Sequence, residues 1–227
     1  MDNGTGYMDF RQLVAERYSA RRFLDRPVPR QTMLDILTLA QGSASWCNTQ
    51  PWQLTITCGD GTRRFREALL ERVAAGTPET PDFPFPEEYR GIYRERRKAC
   101  GVALYQSVGI GKEDRQGAAA QSLENFKLFG APHVAIVTTD ARLGLYGAVD
   151  CGLYLANFML AAKSFGVDTI AQAALARHGG FIREFFGLSA ERRMLCGISF
   201  GYADAEHPAN RFRTERADAK EVVAWYE

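Results

Sequence analysis

The longest weakly charged segment of the chain, residues 146–165, constrains the fold more than any other feature. Val149, Leu153 and Leu160 recur within it at helical spacing, and few charged residues interrupt the pattern. A helix that is apolar around most of its circumference is buried on most sides. The pattern therefore predicts a central helix against which the rest of the chain packs. No uninterrupted apolar run approaches the roughly 18 residues that predict a membrane span, so none is expected.

Shorter periodic segments surround this helix and indicate the fold class. Strand patterns occur at residues 52–58, 133–139, 167–173 and 194–202. Helical patterns occur at residues 8–17, 32–42, 63–75, 87–107, 118–129 and 181–186. Because the helices outnumber the strands and do not alternate regularly with them, the sequence predicts an α+β fold. A chain of 227 residues buries enough surface for one stable core, so a single domain is expected.

Charge and the metal-ligating residue types exclude several classes of protein. The 28 Lys and Arg balance 27 Asp and Glu, which argues against duplex nucleic acid or an anionic bilayer as a partner. The five cysteines form no CxxC pair and the three histidines have no second ligand at helical or loop spacing, so neither disulfides nor a metal site is expected. The first residues, MDNGTGYMDF, lack the features of a signal peptide, which favours a cytoplasmic location.

An arginine-rich turn follows the first helical pattern. Arg17, Ser19 and Arg21 occupy alternate positions, and alternate residues of an extended segment point to the same side. Guanidinium groups match phosphate oxygens through fixed N–H donors, so this set predicts a site for a terminal phosphate. The alternative is a solvated basic turn. A second basic set with the same two interpretations comprises Arg211, Arg213 and Arg216.

A polar segment, SASWCNTQPW at residues 43–52, joins a helical pattern to a strand pattern. Pro51 predicts an extended conformation for Gln50, because the ring of a proline disfavours helical geometry in the preceding residue. Asn48 and Gln50 each offer a donor and an acceptor, which suits the edge of a heteroaromatic ring. The alternative is a loop whose amides satisfy its own backbone.

Common catalytic motifs are missing from the sequence. It contains no GxGxxG after a strand, no GxxxxGK[ST], no GxSxG and no HExxH. No paired carboxylates lie near a histidine, so the chain offers no obvious general acid and base. If the protein is an enzyme, a bound cofactor is expected to carry its chemistry.

Six segments together resemble, in order, the landmarks of the FMN-dependent nitroreductase family. They are RYSARRF (17–23), SASWCNTQPW (43–52), FGAPHVAIV (129–137), YGAVDCGLYLANFMLAA (146–162), GVDTIAQAAL (166–175) and GISFGYADAEHPANRFRTER (197–216). The length of residues 77–117 is similar to that in the nitrobenzoate-reductase-like branch. The resemblance implies an α+β fold with a central, mainly antiparallel sheet covered by helices. It also implies an entwined homodimer with one FMN in each of two interface sites.

The resemblance assigns residues to four parts of the FMN site. The phosphate and ribityl contacts are Arg17, Tyr18, Ser19 and Arg21. The residues that line the flavin from the other subunit are Ala44, Ser45, Trp46, Asn48 and Gln50. The segment whose backbone approaches flavin N5 is Ala171, Gln172, Ala173 and Ala174. The basic ending that closes on the phosphate contains Arg213 and Arg216.

The chain also departs from the family pattern. Ala44 stands where many members have Pro, and the bulky Trp46 and Cys47 stand where small residues are common, which implies a different pocket shape. Residues 77–117, which contain a proline-rich stretch, are predicted to form an inserted helical cover over the acceptor pocket. The alternative is a surface decoration packed on its own subunit. The predicted substrate-binding residues are Trp46, Phe83, Phe85, Tyr89 and Tyr93.

The implied activity is an FMN-dependent oxidoreductase. In such a family NADH or NADPH reduces FMN at N5, and a nitroaromatic, quinone or similar conjugated acceptor is then reduced in the same pocket, without a side chain acting as acid or base. Two alternatives stay open: another reaction at the same flavin (dehalogenation, flavin cleavage or azoline oxidation), and a flavin-binding protein without turnover. An apolar C-terminus, Val222, Val223, Trp225 and Tyr226, is expected to contribute to the homodimer.

Overall fold

Four strands pair into one antiparallel sheet in the computed structural model, which describes residues 9–227. The strands are β1 (Gln53–Ile56), β2 (His133–Asp140), β3 (Asp168–Gln172) and β4 (Arg192–Gly201). Their order across the sheet is β1-β2-β4-β3, so the two longest strands lie at its centre. The antiparallel sheet and the α+β class predicted from the sequence are confirmed.

Eight α-helices accompany the sheet within residues 9–227. They are α1 (Phe10–Glu16), α2 (Arg30–Ala40), α3 (Asp60–Ala74), α4 (Gly91–Ser107), α5 (Arg115–Leu123), α6 (Gly144–Ser164), α7 (Ala173–Ala176) and α8 (Gly179–Phe185). Residues 1–8 lie outside the described residues. They include the first residue of the helical pattern at 8–17 and most of the segment MDNGTGYMDF. The pattern at 118–129 extends too far, since α5 ends at Leu123 and the later residues Leu128 and Phe129 have positive φ of 57° and 52°.

Both faces of the sheet are covered by helices. Strand β2 alternates, so that Ala135 and Val137 pack into the cluster that includes residues of α2 and α6. Val134 and Ile136 point to the opposite face, where they pack with residues of α3 and α8. This alternation follows from the period-2 geometry of a strand, and it makes the sheet the middle layer of the molecule.

Helix α6 is the predicted central helix, but only one of its faces is buried within the chain. Close packing on the sheet requires Gly147, because a Cβ there would lie 2.7 Å from Thr139 Oγ1. On the opposite face, Leu145, Val149 and Leu153 are 74%, 50% and 47% exposed. The prediction of burial on most sides is therefore wrong for one protomer, and the exposed stripe at i, i+4 and i+8 is an unpartnered apolar surface.

By length and composition, residues 141–164 satisfy the criteria for a membrane-crossing helix, although no membrane span is expected from the sequence. The same stretch contains the buried side chains of Asp150, Tyr154 and Phe158, and the last two belong to the main core cluster. Core helices of globular domains meet the same criteria. We therefore interpret α6 as a core helix that also carries one exposed apolar face.

The residues after α1 run along the outer edge of β3. Ser19 forms an isolated parallel bridge with Thr169, and Ala20 N–H donates to the Thr169 carbonyl at 3.1 Å. Phe23 forms a further antiparallel bridge with Ala203, just beyond the end of β4. Because an extended segment presents alternate side chains on one side, this edge places Arg17, Ser19 and Arg21 beside the C-terminal segment.

The proline-rich stretch, residues 76–86, contains neither helix nor strand and lies on α8 and the start of β4. Asp82 anchors it: the carboxylate is buried, pairs with Arg183 and Arg193, and accepts the Met194 N–H at 2.8 Å. Gly180 N–H donates to the Thr80 carbonyl at 3.0 Å. The sequence interpretation that this stretch joins neither a helix nor the sheet agrees with its geometry.

Candidate functional site

A cavity of about 600 Å³ lies between the end of α1, the arginine-rich turn, the second half of α6 and the C-terminal segment. Its volume is in the range of cofactor sites. Residues 17–21 and 213–216 are almost 200 positions apart in the chain, yet both line it. The predicted site residues that it brings together are Arg17, Tyr18, Ser19, Arg21, Arg213 and Arg216.

Asn210 fastens the two basic segments to each other. Its side-chain oxygen accepts the backbone N–H of Arg21 at 2.6 Å, and its side-chain nitrogen donates to the carbonyls of Arg22 and Asp204, each at 2.8 Å. Arg213 in turn donates to the Asn210 carbonyl at 2.8 Å. A single buried carboxamide therefore sets the position of both halves of the arginine set.

The arginines in this cavity have no acidic partner. Among residues 9–227, no carboxylate forms an ion pair with Arg17, Arg21, Arg213 or Arg216. Burial lowers the pKa of the Arg17 guanidinium, and the nearby charge of Arg216 lowers it further. Burial also lowers the pKa of Arg21. Guanidinium groups stay protonated in proteins, so a partly desolvated cationic set without a counter-ion is a site for an anionic group.

Aromatic rings hold two of these guanidinium groups in place. The Arg213 guanidinium carbon lies 3.8 Å from the centroid of the Tyr18 ring, and that of Arg21 lies 5.2 Å from the Phe212 ring. Such cation–π contacts restrict the side chains without neutralising their charge. The arginines therefore remain available to an anion while their positions are constrained.

The segment at residues 43–50 lies elsewhere in the protomer. None of the predicted flavin-lining residues Ala44, Ser45, Trp46, Asn48 and Gln50 lines the 600 Å³ cavity. Trp46 instead lines a second cavity, of about 270 Å³, at the beginning of α6. Within one protomer, the arginine set and the loop at residues 43–50, the two predicted parts of the cofactor site, therefore lie apart.

The backbone of this loop is strained and is held in place by a residue of α6. Cys47, Asn48 and Gln50 have φ of 51°, 56° and 46°, values that non-glycine residues rarely adopt. The prediction that Gln50 is extended is therefore wrong. The reversal is stabilised by Ser45, whose Oγ accepts the Gln50 N–H at 3.0 Å, and by the buried Asp150, which accepts the Trp46 N–H at 3.1 Å.

The amide of Gln50 serves the loop itself. Its nitrogen donates to Asn48 Oδ1 at 3.1 Å, and its oxygen accepts from Gln41 at 3.0 Å. Gln41 also accepts the indole N–H of Trp52 at 3.1 Å. For Gln50 the geometry therefore favours the alternative of a loop that satisfies its own polar groups.

The predicted flavin-N5 segment spans the end of β3 and the first turn of α7. Ala171 and Ala173 are exposed, so their backbone is accessible. Gln172 points inward, where its nitrogen donates to the Asn125 carbonyl at 2.8 Å and its oxygen accepts from Ser199 at 2.5 Å. Its side chain is thus engaged in the core and is not available to a cofactor.

The predicted substrate-binding aromatics outside the loop do not line the 600 Å³ cavity. Phe85 lies beneath the Arg177 guanidinium at 4.6 Å, and Phe83 is half-buried in the same docked stretch. Tyr89 and Tyr93 are exposed near the beginning of α4. Cys100, two turns after Tyr93 on the same helix, does line the cavity. In this protomer, helix α4 of the predicted cover therefore contributes to the candidate site, whereas the proline-rich stretch with Phe83 and Phe85 does not.

Sequence reasoning missed three residues that build or line the site: Cys100, Asp150 and Asn210. A charged residue within an otherwise apolar helical pattern is a detectable signal for Asp150, because a buried carboxylate needs donors. No comparable signal marks Asn210, whose partners lie up to 189 positions away. In residues 9–227, no three His, Cys, Asp or Glu side chains cluster as metal ligands do.

Replacing Asn210 with alanine is expected to lower both stability and cofactor affinity. The change leaves one N–H and two carbonyls without their partner, and each unsatisfied buried group costs about 1–3 kcal/mol. We expect a lower melting temperature for the apoprotein, measured by calorimetry, together with weaker binding of FMN. An unchanged melting temperature would show that the two basic segments are positioned by other contacts.

Comparisons with known proteins agree with this geometry. The model of the nitroreductase family matches residues 14–202. A 4-nitrobenzoate reductase of Pseudomonas putida is 35% identical over 212 residues, which cover 93% of each chain. The crystal structure of an FMN and NADPH-dependent nitroreductase, NfnB from sphigopyxis sp. strain HMH, has a TM-score of 0.93 at 31% identity and covers 97% of this chain and 100% of that one. That of NfnB from Mycobacterium smegmatis in complex with NADPH has a TM-score of 0.91 at 32% identity and covers 96% and 97%.

Proposed function

The chain belongs to the nitroreductase family, and we propose that it is an FMN-dependent oxidoreductase that takes electrons from NADPH and reduces nitroaromatic acceptors. The observation that carries this proposal is the set of unpaired arginines facing a 600 Å³ cavity, which fits a phosphorylated cofactor. The preference for NADPH over NADH rests on the two NfnB relatives, one described as NADPH-dependent and one bound to NADPH.

The residues present fit FMN. Arg17, Arg21 and Arg216 would hold the phosphate, and Ser19 would donate its hydroxyl beside them. When bound, FMN supplies hydride transfer from the nicotinamide and onward to the acceptor. The exposed backbone at Ala171 and Ala173 would orient the ring of the cofactor, since no side chain of this segment reaches outward beyond a methyl group.

A homodimer would unite the two separated parts of the site. The exposed stripe of α6 has Leu153 at its middle, and two such helices crossing antiparallel at this residue would place Tyr146 opposite Leu160 of the partner subunit. Leu160 lines the 600 Å³ cavity, whereas Tyr146 lines the Trp46 cavity. Within one chain these two residues are about 21 Å apart along the helix axis. The loop would thus complete the cavity of the other subunit.

We also propose that α4 covers the entrance. Tyr93 and Cys100 are seven residues apart and share one face of the helix, and no residue of α4 is buried in the protomer. Tyr93 would therefore lie above the cavity that Cys100 lines. Phe83 and Phe85 are docked on their own subunit, and Tyr89 lies under Arg97 at 5.1 Å.

A cytoplasmic location is proposed as well, in keeping with five cysteines that form no disulfide.

The test is to purify the protein and identify its chromophore. We expect a yellow protein that releases FMN on denaturation, is bleached anaerobically faster by NADPH than by NADH, and is reoxidised by a nitrobenzoate. Each reoxidation passes two electrons to the nitro group, so the four-electron product, the hydroxylamine, should form only with a second equivalent of NADPH. Bleaching without reoxidation by any nitroaromatic or quinone would favour another reaction at the same flavin. A protein that binds FMN but is not reduced by either nicotinamide would contradict the enzymatic proposal.

A further inference from the structure

The 270 Å³ cavity at the beginning of α6 contains an aromatic corner. Trp46 and Tyr146 meet with ring centroids 4.5 Å apart and an interplanar angle of 64°. Both side chains are largely exposed, at 60% and 58%. Two large rings that pack edge to face yet remain open to solvent form a concave apolar surface, and such surfaces mark binding sites.

We propose that Tyr146, together with Trp46, is a specificity-determining residue that selects flat aromatic acceptors. This inference rests on the proposed function, because it places the acceptor ring against the corner at the mouth of the partner subunit's cofactor cavity. Tyr146 has no assigned role in the family resemblance, and Trp46 stands where small residues are common.

The structure holds the backbone of the loop that carries the indole, and the ring itself packs against Tyr146. Asp150 accepts the backbone N–H of Trp46 at 3.1 Å and the Thr49 hydroxyl at 3.4 Å, and the strained backbone of Cys47 and Asn48 is maintained between these contacts. A loop that retains such strain is over-determined by its surroundings. The backbone that carries Trp46 is thus held in one conformation, which lowers the entropic cost of ordering the loop when a ligand binds.

The same helix supplies the second ring. Tyr146 lies four residues before Asp150, so it is on the same face of α6, one turn earlier. Gly147 lets this turn approach the sheet, which brings Tyr146 to the level of the loop. The corner therefore depends on α6 at two points: Asp150 holds the backbone of the Trp46 loop, and Tyr146 packs against the indole.

The rest of the cavity suits a small ring with a polar substituent. Leu143 and Cys47 add apolar surface, while Thr49 contributes a hydroxyl at the edge. Arg142 also lines the cavity, although Glu191 neutralises it through an ion pair of 2.7 Å. The composition favours a single aromatic ring over a nucleotide, since no unpaired cation faces this cavity among the described residues.

The test compares two substitutions in the FMN-loaded enzyme. An aromatic contact of this kind corresponds to about a three- to tenfold change in binding. We therefore expect Tyr146→Ala to raise the KM for nitrobenzene and the Kd for benzoate, measured by calorimetry, by about this factor. Tyr146→Phe should retain both values. Reduction of ferricyanide, which needs no stacking, should be unchanged in both variants, as should every value in the control Phe165→Ala, which removes an exposed aromatic ring that lines neither cavity.

Three results would overturn the inference. The first is an equal loss with nitrobenzene and ferricyanide, which would indicate a general structural role for Tyr146. The second is slower reduction by NADPH with unchanged binding of benzoate, which would assign the corner to the nicotinamide. The third is unchanged binding of benzoate in Tyr146→Ala with a normal circular dichroism spectrum. Reduction of the wild-type enzyme by NADPH is measured first. Its failure would contradict the proposed function, whereas the three results above contradict the inference about Tyr146.

Discussion

Apoprotein carrying Arg17→Ala or Arg21→Ala is expected to bind FMN about ten- to a hundredfold more weakly than the wild type. A hydrogen bond to a charged group contributes about 1.5–3 kcal/mol, which corresponds to this range in the dissociation constant. Both guanidiniums line the cavity and are partly desolvated, and neither pairs with a carboxylate among residues 9–227. Truncation therefore removes contacts to the phosphate without leaving one of these carboxylates unpaired. Titration of apoprotein with FMN, followed by quenching of flavin fluorescence, measures the effect.

Arg211→Ala provides the matched control. Arg211 lies in the same basic ending, but it pairs with Glu206 at 2.6 Å and does not line the cavity. We expect its affinity for FMN to equal that of the wild type. Equal affinities in Arg17→Ala, Arg21→Ala and Arg211→Ala would show that the phosphate binds elsewhere.

Leu153→Asp is expected to convert a dimer into monomers that do not retain FMN. Leu153 lies at the middle of the exposed stripe of α6, and a two-fold axis there would bring two copies of the new carboxylate together. Burial of an unpaired polar group costs about 2 kcal/mol or more per copy, so the dissociation constant of the dimer should rise roughly a thousandfold. Sedimentation velocity at micromolar concentration, with absorbance at flavin wavelengths, reports both mass and bound cofactor.

A matched substitution elsewhere controls for charge and exposure. Leu34→Asp changes a leucine of α2 that is exposed to a similar degree but lies outside the stripe. We expect this variant to remain dimeric and yellow. A monomeric wild-type protein that holds FMN, or a Leu153→Asp variant that stays dimeric, would place the interface on another surface.

The convergence of the first two arginines was predictable because its signal is local. Arg17, Ser19 and Arg21 alternate within five residues, and an extended backbone is enough to bring them to one side. Their convergence with Arg213 and Arg216 was implied only by resemblance to a family, since the two segments are far apart in the chain. Asn210, which joins them, depends entirely on that long-range contact.

Other features depend on the tertiary structure and were not predictable. Gln50 adopts a positive φ before a proline because Ser45 accepts its N–H, and this contact overrides the local preference. The apolar pattern of α6 predicted burial on most sides, whereas the protomer buries one face and leaves Leu145, Val149 and Leu153 exposed. The period of a helical pattern reports which residues are apolar and not which surface covers them.

Mixing two inactive variants tests most directly the claim that each site is built from two chains. One variant carries Arg17→Ala and Arg21→Ala, which damage the phosphate contacts. The other carries Ala44→Glu, which places a carboxylate on the exposed loop that would face the flavin. Each homodimer alone is expected to lack FMN, with circular dichroism as a check on folding.

Heterodimers isolated with two affinity tags give the decisive count of FMN per dimer. If the arginine set and the loop belong to different chains, one of the two sites combines two intact halves, and we predict one FMN per heterodimer with recovery of NADPH oxidation. If both parts of each site came from one chain, every site would contain a damaged half. A heterodimer without FMN, formed from variants that fold, would contradict the account.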